Sequence, residues 1–160
     1  MEQLSMILKE QITLSEQLLE LSKLQTKELV VKNAMKVQKI AGKIDFITKQ
    51  LFLLEDKRQA VINEISQRCQ ISEPVNLVKL IELSNSKSKN FLLELIRSLE
   101  QILDELKFYI QQNKILLKKA MHFIDFNMNV ITSTTASTTY APQGHEGSAV
   151  SKKKMFDQSI

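Results

Sequence analysis

The sequence predicts an all-α protein, an elongated antiparallel bundle of long, coiled-coil-like helices followed by a flexible C-terminal tail. Three observations carry this expectation. The 160 residues include only three Gly and two Pro, and of these only Gly42 and Pro74 precede residue 142. A β-sandwich or a doubly wound α/β domain needs many more such residues to make its turns. Apolar residues recur at intervals of three and four over most of the chain, the spacing that draws a stripe along one face of a helix. At residue 132 the periodicity stops, and seven of the eight residues from Thr132 to Thr139 are Ser or Thr.

The first element is a long helix, or a pair of helices, over about 2–70. Leu4, Ile7, Leu8, Leu14, Leu18, Leu21 and Leu24 alternate with Glu and Lys as an amphipathic helix requires. The stripe continues through Val30, Ala34 and Val37. It then becomes a regular four-three alternation at Ile40, Ile44, Ile47, Leu51, Leu54, Arg58, Val61 and Ile65. Gly42 is the one helix breaker here, and its cost of about 1 kcal/mol relative to Ala leaves a continuous helix feasible; a break near residue 28 is the alternative.

Ser72-Glu73-Pro74 ends this element and starts the next, because Ser caps helices and Pro suits a first turn, where its missing N–H would be unbonded anyway. Val75, Leu77, Val78, Leu80, Ile81 and Leu83 then describe a short helix over about 74–84. A polar patch from Ser84 to Asn90 leads to the last long helix, about 88–131. Its four-three seam runs Leu92, Ile96, Leu99, Leu103, Leu106, Ile110, Asn113, Leu117, Ala120, Ile124, Asn127 and Ile131. Asn113 and Asn127 are the polar positions of that seam, where asparagine characteristically fixes register at some cost in stability. Residues 1–131 thus read as the helical bundle and 132–160 as the tail.

Several function classes are disfavoured by the same residues. The single cysteine, Cys69, allows no internal disulfide and continues the apolar seam four residues after Ile65, as a buried structural thiol would. His122 has only Asp125 as an acidic neighbour at helical spacing. Gly144 and Gly147 lack the strand and the Lys-Ser/Thr that a phosphate loop requires. No catalytic, cofactor-binding or metal constellation is expected. The longest apolar run, Leu51 to Leu54, falls far short of the ~20 residues that span a bilayer. No apolar block follows Glu2 at the N-terminus, so neither a secretory signal nor membrane insertion is expected, and the chain reads as cytoplasmic. The net charge of +4 arises on residues 29–69, where Lys32, Lys36, Lys39 and Lys43 make a solvated stripe. Without clustered Arg or interleaved aromatics, that stripe does not predict a nucleic-acid partner.

A binding surface is the remaining candidate. Beside the seam of the last helix runs a second series at intervals of seven, Tyr109, Leu116, Phe123 and Val130, with Met121 and Met128 on the other flank. Together these widen the apolar arc to nearly half the circumference, more than one side of a small bundle uses. Phe108, Ile115 and Phe126 lie farther round. Such an arc suits either coverage by the other helices or a second copy, or a groove for a partner.

The sequence resembles the FlgN family of bacterial flagellar export chaperones over roughly residues 1–145. The likeness rests on the leucine-rich opening (Leu4, Leu18, Leu19, Leu21), Leu54-Glu55 followed by Arg58, Asn113 followed by Leu116-Leu117, and Tyr140-Ala141-Pro142-Gln143-Gly144 in the tail. The family often shows a Tyr-Gly-x-x-Gly-like stretch there, from which Ala141 departs. The resemblance implies a cytoplasmic chaperone that binds the hook–filament junction proteins FlgK and FlgL through its C-terminal half. It would prevent their early assembly and deliver them to the flagellar type III export apparatus. It also implies that Tyr140 docks at the export gate. On this reading Tyr109, Leu116, Phe123, Phe126, Met128 and Val130 supply apolar contact area for a helical client, and the tail keeps Tyr140 and Phe156 mobile. A non-catalytic coiled-coil scaffold, dimeric without any client, or an adaptor for another secreted substrate, is the alternative.

Overall fold

The computed structural model describes residues 2–68, 77, 81 and 86–136, with the side chains of 2–68, 77, 81 and 88–132. The described residues form three helices, α1 (Glu2–Val30), α2 (Ala34–Arg68) and α3 (Ser86–Ala136), and include no strand. Of the short helix expected over 74–84, Leu77 and Ile81 are described, and both are helical. The remainder of that segment, its Ser72-Glu73-Pro74 start, Cys69 and the tail beyond residue 136 lie outside the described residues. The chain divides into two compact units, Met1–Phe123 and Ile124–Ile160.

Residues 2–68 are two helices rather than one. The break falls at Val31-Lys32-Asn33 and uses no glycine. Lys32 takes the left-handed conformation, with φ of 57°. The amide of Asn33 bonds the Glu28 carbonyl at 2.9 Å and that of Lys32 bonds the Leu29 carbonyl at 3.1 Å, the paired closure of a Schellman cap. Asn33 then caps α2, because its Oδ1 accepts from the Lys36 amide at 3.2 Å and its carbonyl accepts from the Val37 amide at 3.0 Å. One residue closes one helix and opens the next, which folds α2 back along α1.

The pairing directions follow from cross-helix contacts in the first unit. Gln11 Nε2 donates to Glu55 at 3.1 Å near one end of the hairpin, and Lys36 pairs with Glu28 at 3.2 Å near the other, so α1 and α2 are antiparallel. Lys9 lies over the Phe91 ring, Lys23 reaches Glu105 at 3.0 Å, and Thr26 bonds Asn113 at 2.7 Å. Residue numbers rise together on both helices, so α1 and α3 are parallel.

Two apolar clusters hold this unit. Leu4, Ile7 and Leu8 of α1 join Leu54, Val61 and Ile62 of α2, Leu92 of α3, and Ile81. Farther along, Leu18 and Leu19 join Ile47 and Leu106. All eight seam positions expected on α2, from Ile40 to Ile65, are buried or half-buried, Arg58 included. On α1 the buried line runs Leu4, Leu8, Gln11, Ser15, Leu18 and Ser22, so half of an unbroken four-three seam is polar. Leu24, expected on the buried stripe, is exposed.

Candidate functional site

The side of α3 that α1 covers differs in part from the expected one. Leu92, Leu99, Leu106 and Asn113 face inward as the spacing predicts. Between Leu92 and Leu99 both Leu95 and Ile96 are half-buried and pack on the first core cluster, but farther along the inner positions are Ile102, Tyr109 and Leu116, each half-buried, rather than Leu103, Ile110 and Leu117. Both series satisfy a heptad, and they share every other member. Contacts with α1 select between them. Asn113, 4% exposed, donates from Nδ2 to the Ser22 carbonyl at 2.9 Å and to Gln25 Oε1 at 3.0 Å, while its Oδ1 accepts from the Thr26 hydroxyl. Lys23 stands 5.7 Å from the Tyr109 ring centroid and pairs with both Glu105 and Glu20. The hydrogen bonds it donates to Glu105 first, and to Glu20 second, raise the Lys23 ammonium above its ordinary pKa.

The unused heptad positions remain as an exposed stripe within the first unit, Leu103 (45% exposed), Ile110 (51%) and Leu117 (38%), with Met121 exposed beside them. Two of the residues expected in a client surface, Tyr109 and Leu116, lie instead on the half-buried side, where Tyr109 packs against the second core cluster and edge-on to Phe108, with centroids 5.4 Å apart. Phe123 is exposed, with Lys32 5.0 Å above its ring. In the second unit Phe126, Met128 and Val130 are exposed. Tyr140 and Phe156 lie outside the described residues. The stripe of Leu103, Ile110 and Leu117 was not singled out as a surface because the sequence pattern assigned those residues to the core. Its only sequence signal is the excess width of the arc.

Leu103 also belongs to a groove between α2 and α3. Its walls are Leu51 and Phe52 on one side and Ile96, Leu99 and Leu103 on the other, and Leu8, Gln11 and Ser15 of α1 form its floor. The groove carries a polar corner. Arg58 grips Glu55 through two hydrogen bonds, of which the Nε contact is 2.8 Å, and Gln11 Nε2 adds a third to the same carboxylate. Arg58 chiefly, with Gln11 adding to it and burial opposing, holds the Glu55 carboxyl below the usual carboxylate range; the same pair raises Arg58. Gln11 Oε1 is buried with no hydrogen-bond partner among the described residues, although buried acceptors are ordinarily satisfied.

The lysine stripe divides into separate environments. Lys32 sits at the turn over Phe123, Lys36 pairs with Glu28, and Lys39 and Lys43 line an open groove between α1 and α2. His122 is exposed. Among the described residues no cluster of three or more His, Cys, Asp or Glu could hold a metal ion, and no helix is long and apolar enough to cross a membrane.

A parallel α1–α3 pair closed by an antiparallel α2, with Leu103, Ile110 and Leu117 of α3 left exposed, defines a small helical bundle with a face suited to another helix. The family model described as FlgN protein matches residues 1–147. The chain therefore belongs to the FlgN family, a family of flagellar export chaperones rather than of enzymes. No curated protein and no solved structure matches it.

Proposed function

We propose that this chaperone binds, in the cytoplasm, the C-terminal helical region of hook–filament junction proteins of the FlgK and FlgL type. It keeps them from assembling early and delivers them to the flagellar type III export apparatus, where the tail, through Tyr140 and Phe156, docks at the export gate. The observation that carries the client reading is the uncovered heptad of Leu103, Ile110 and Leu117. An amphipathic client helix needs only a complementary apolar stripe and a groove to lie in, and no nucleotide. The groove between α2 and α3 meets this stripe at Leu103. Phe123 in the first unit, and Phe126, Met128 and Val130 in the second, supply further apolar contact area.

The test is co-expression of the full chain with the C-terminal segments of FlgK-type and FlgL-type proteins. A soluble one-to-one complex is expected with at least one segment, and Ile110→Glu with Leu117→Glu should abolish it while leaving helical content unchanged. No complex with either segment overturns the client reading. A tight homodimer by light scattering that client segments do not dissociate would favour the scaffold instead. Removal of residues 132–160 should preserve melting and client binding but weaken binding to isolated export-gate protein. A truncation that unfolds the bundle would show the tail to be structural.

A further inference from the structure

Gly42 occupies the interior of α2, where glycine is the poorest helix former after proline. Nothing among the described residues of the first unit explains it. Its φ is not left-handed, and a Cβ built there meets no atom within 4 Å. A mid-helix glycine that neither conformation nor internal packing requires is suited to close approach by a backbone from outside. Its surroundings are those of a docking site. Gly42 lies in an open groove between α1 and α2 that shares no residue with the α2–α3 groove. Leu24 and Phe46 line it and stand 42% and 62% exposed.

Charge says what fits. Lys27, Lys39 and Lys43 line the same groove. The salt bridges among the described residues employ Lys23, Lys36, Lys49, Arg58 and Arg68, which leaves these three ammonium groups without an acidic partner there. Glu16 and Glu20 line the groove as well. A nucleic-acid backbone, uniformly negative, would meet those carboxylates. A helix can instead place acidic residues over the lysines and leave neutral or basic ones over the glutamates, so the charge pattern also sets its direction.

We propose that the α1–α2 groove is a second docking site, which receives an acidic amphipathic helix of another protein. Its apolar stripe packs on Leu24 and Phe46, its backbone crosses close over Gly42, and its carboxylates pair with Lys27, Lys39 and Lys43. The surface is independent of the client reading, because it uses neither α3 nor the tail.

The experiment titrates the full chain with two synthetic 18-residue helical peptides of identical Leu/Ala stripe, one flanked by Glu and the other by Lys, followed by fluorescence anisotropy and amide hydrogen exchange. The Glu peptide should bind, more weakly as salt rises, and should protect residues 21–27 and 39–47; the Lys peptide should not bind. Gly42→Ala separates the site from a packing effect, because the two readouts should move in opposite directions. Its melting temperature should rise by roughly 3 °C through helix propensity, while the Glu peptide binds at least tenfold more weakly. Lys39→Gln with Lys43→Gln should weaken binding several-fold at unchanged melting temperature. The proposal fails if the Glu peptide does not bind, if both peptides bind alike, or if Gly42→Ala binds as the parent does. Protection that falls on α3 instead, or displacement of the peptide by an RNA of equal charge, overturns it too.

Discussion

Helices α2 and α3 carry heptads of similar regularity, yet they behave differently. On α2 every position from Ile40 to Ile65 that the spacing assigns to the seam is turned inward, and Phe46, Phe52 and Leu53 stand exposed outside it. On α3 the apolar arc is wide enough to hold two heptads that share Leu92, Leu99, Leu106 and Asn113, and beyond Leu99 only one of them is covered. Burial by the hydrophobic effect is proportional to area and indifferent to direction. It therefore cannot choose between Ile102 and Leu103, or between Tyr109 and Ile110. Directional contacts choose: the Asn113 amide on Ser22, Gln25 and Thr26, and Lys23 on Glu105 and Tyr109. Where two apolar heptads compete on one helix, the packing needs a polar latch and leaves a face over.

The sharpest way to break this comparison is to truncate one residue of each α3 face. Leu106→Ala removes a side chain that both heptads place inside and should cost about 2–4 kcal/mol. Ile110→Ala touches only the uncovered heptad and should cost less than about 0.5 kcal/mol. Thermal melting measures both. Equal losses would mean that the Ile110 face is covered in solution by a second copy.

The latch comes next. Asn113→Ala leaves the half-buried Gln25 side chain without its partner, while the Thr26 hydroxyl keeps the Ser22 carbonyl, and should cost about 1–2 kcal/mol. Asn113→Leu restores apolar area at a position common to both heptads but removes the means of choosing between them. It should melt over a broader range than the parent and double the amide resonances of α3. A single sharp spectrum for Asn113→Leu would show that apolar packing alone sets the register.

Sequence reasoning reached the long helices, the α2 seam and the seam position of Asn113, because each is written as a periodicity or as a polar break in one. It missed what periodicity does not encode. Gln11, Ser15 and Ser22 lie on the buried line of α1, but polar side chains at seam spacing read as gaps in the stripe. The hairpin turn stayed one of two alternatives, a break near residue 28 beside a continuous helix, because the usual marker is glycine and Lys32 takes the left-handed position instead; Asn33, a strong helix cap, was the signal that could have located it. That turn sets how α2 meets α1 and therefore how much of α3 stays open. Lys32→Gly should relieve the left-handed strain and stabilise the chain by about 1 kcal/mol, read as a higher denaturation midpoint at unchanged m-value. A loss instead would mean that the ammonium over Phe123 contributes more than the strain costs.

The smallest effect tests the one charged residue in the otherwise apolar seam of α2. Arg58 holds the Glu55 carboxyl below its ordinary value of 4.5. A carboxylate depressed by folding contributes stability that is fully present above that ordinary value and is lost as pH falls through the folded value. Because the Glu55 side chain is 47% exposed, water screens the pair, and the contribution stays below about 1 kcal/mol. Glu55→Gln should therefore melt slightly below the parent at pH 7, and the gap should close as pH is lowered below 4.5. A gap that persists unchanged in acid would assign the role of Glu55 to its hydrogen bond with Gln11 rather than to its charge. The polar corner at Arg58 would then serve the shape of the α2–α3 groove and not the electrostatics of the seam.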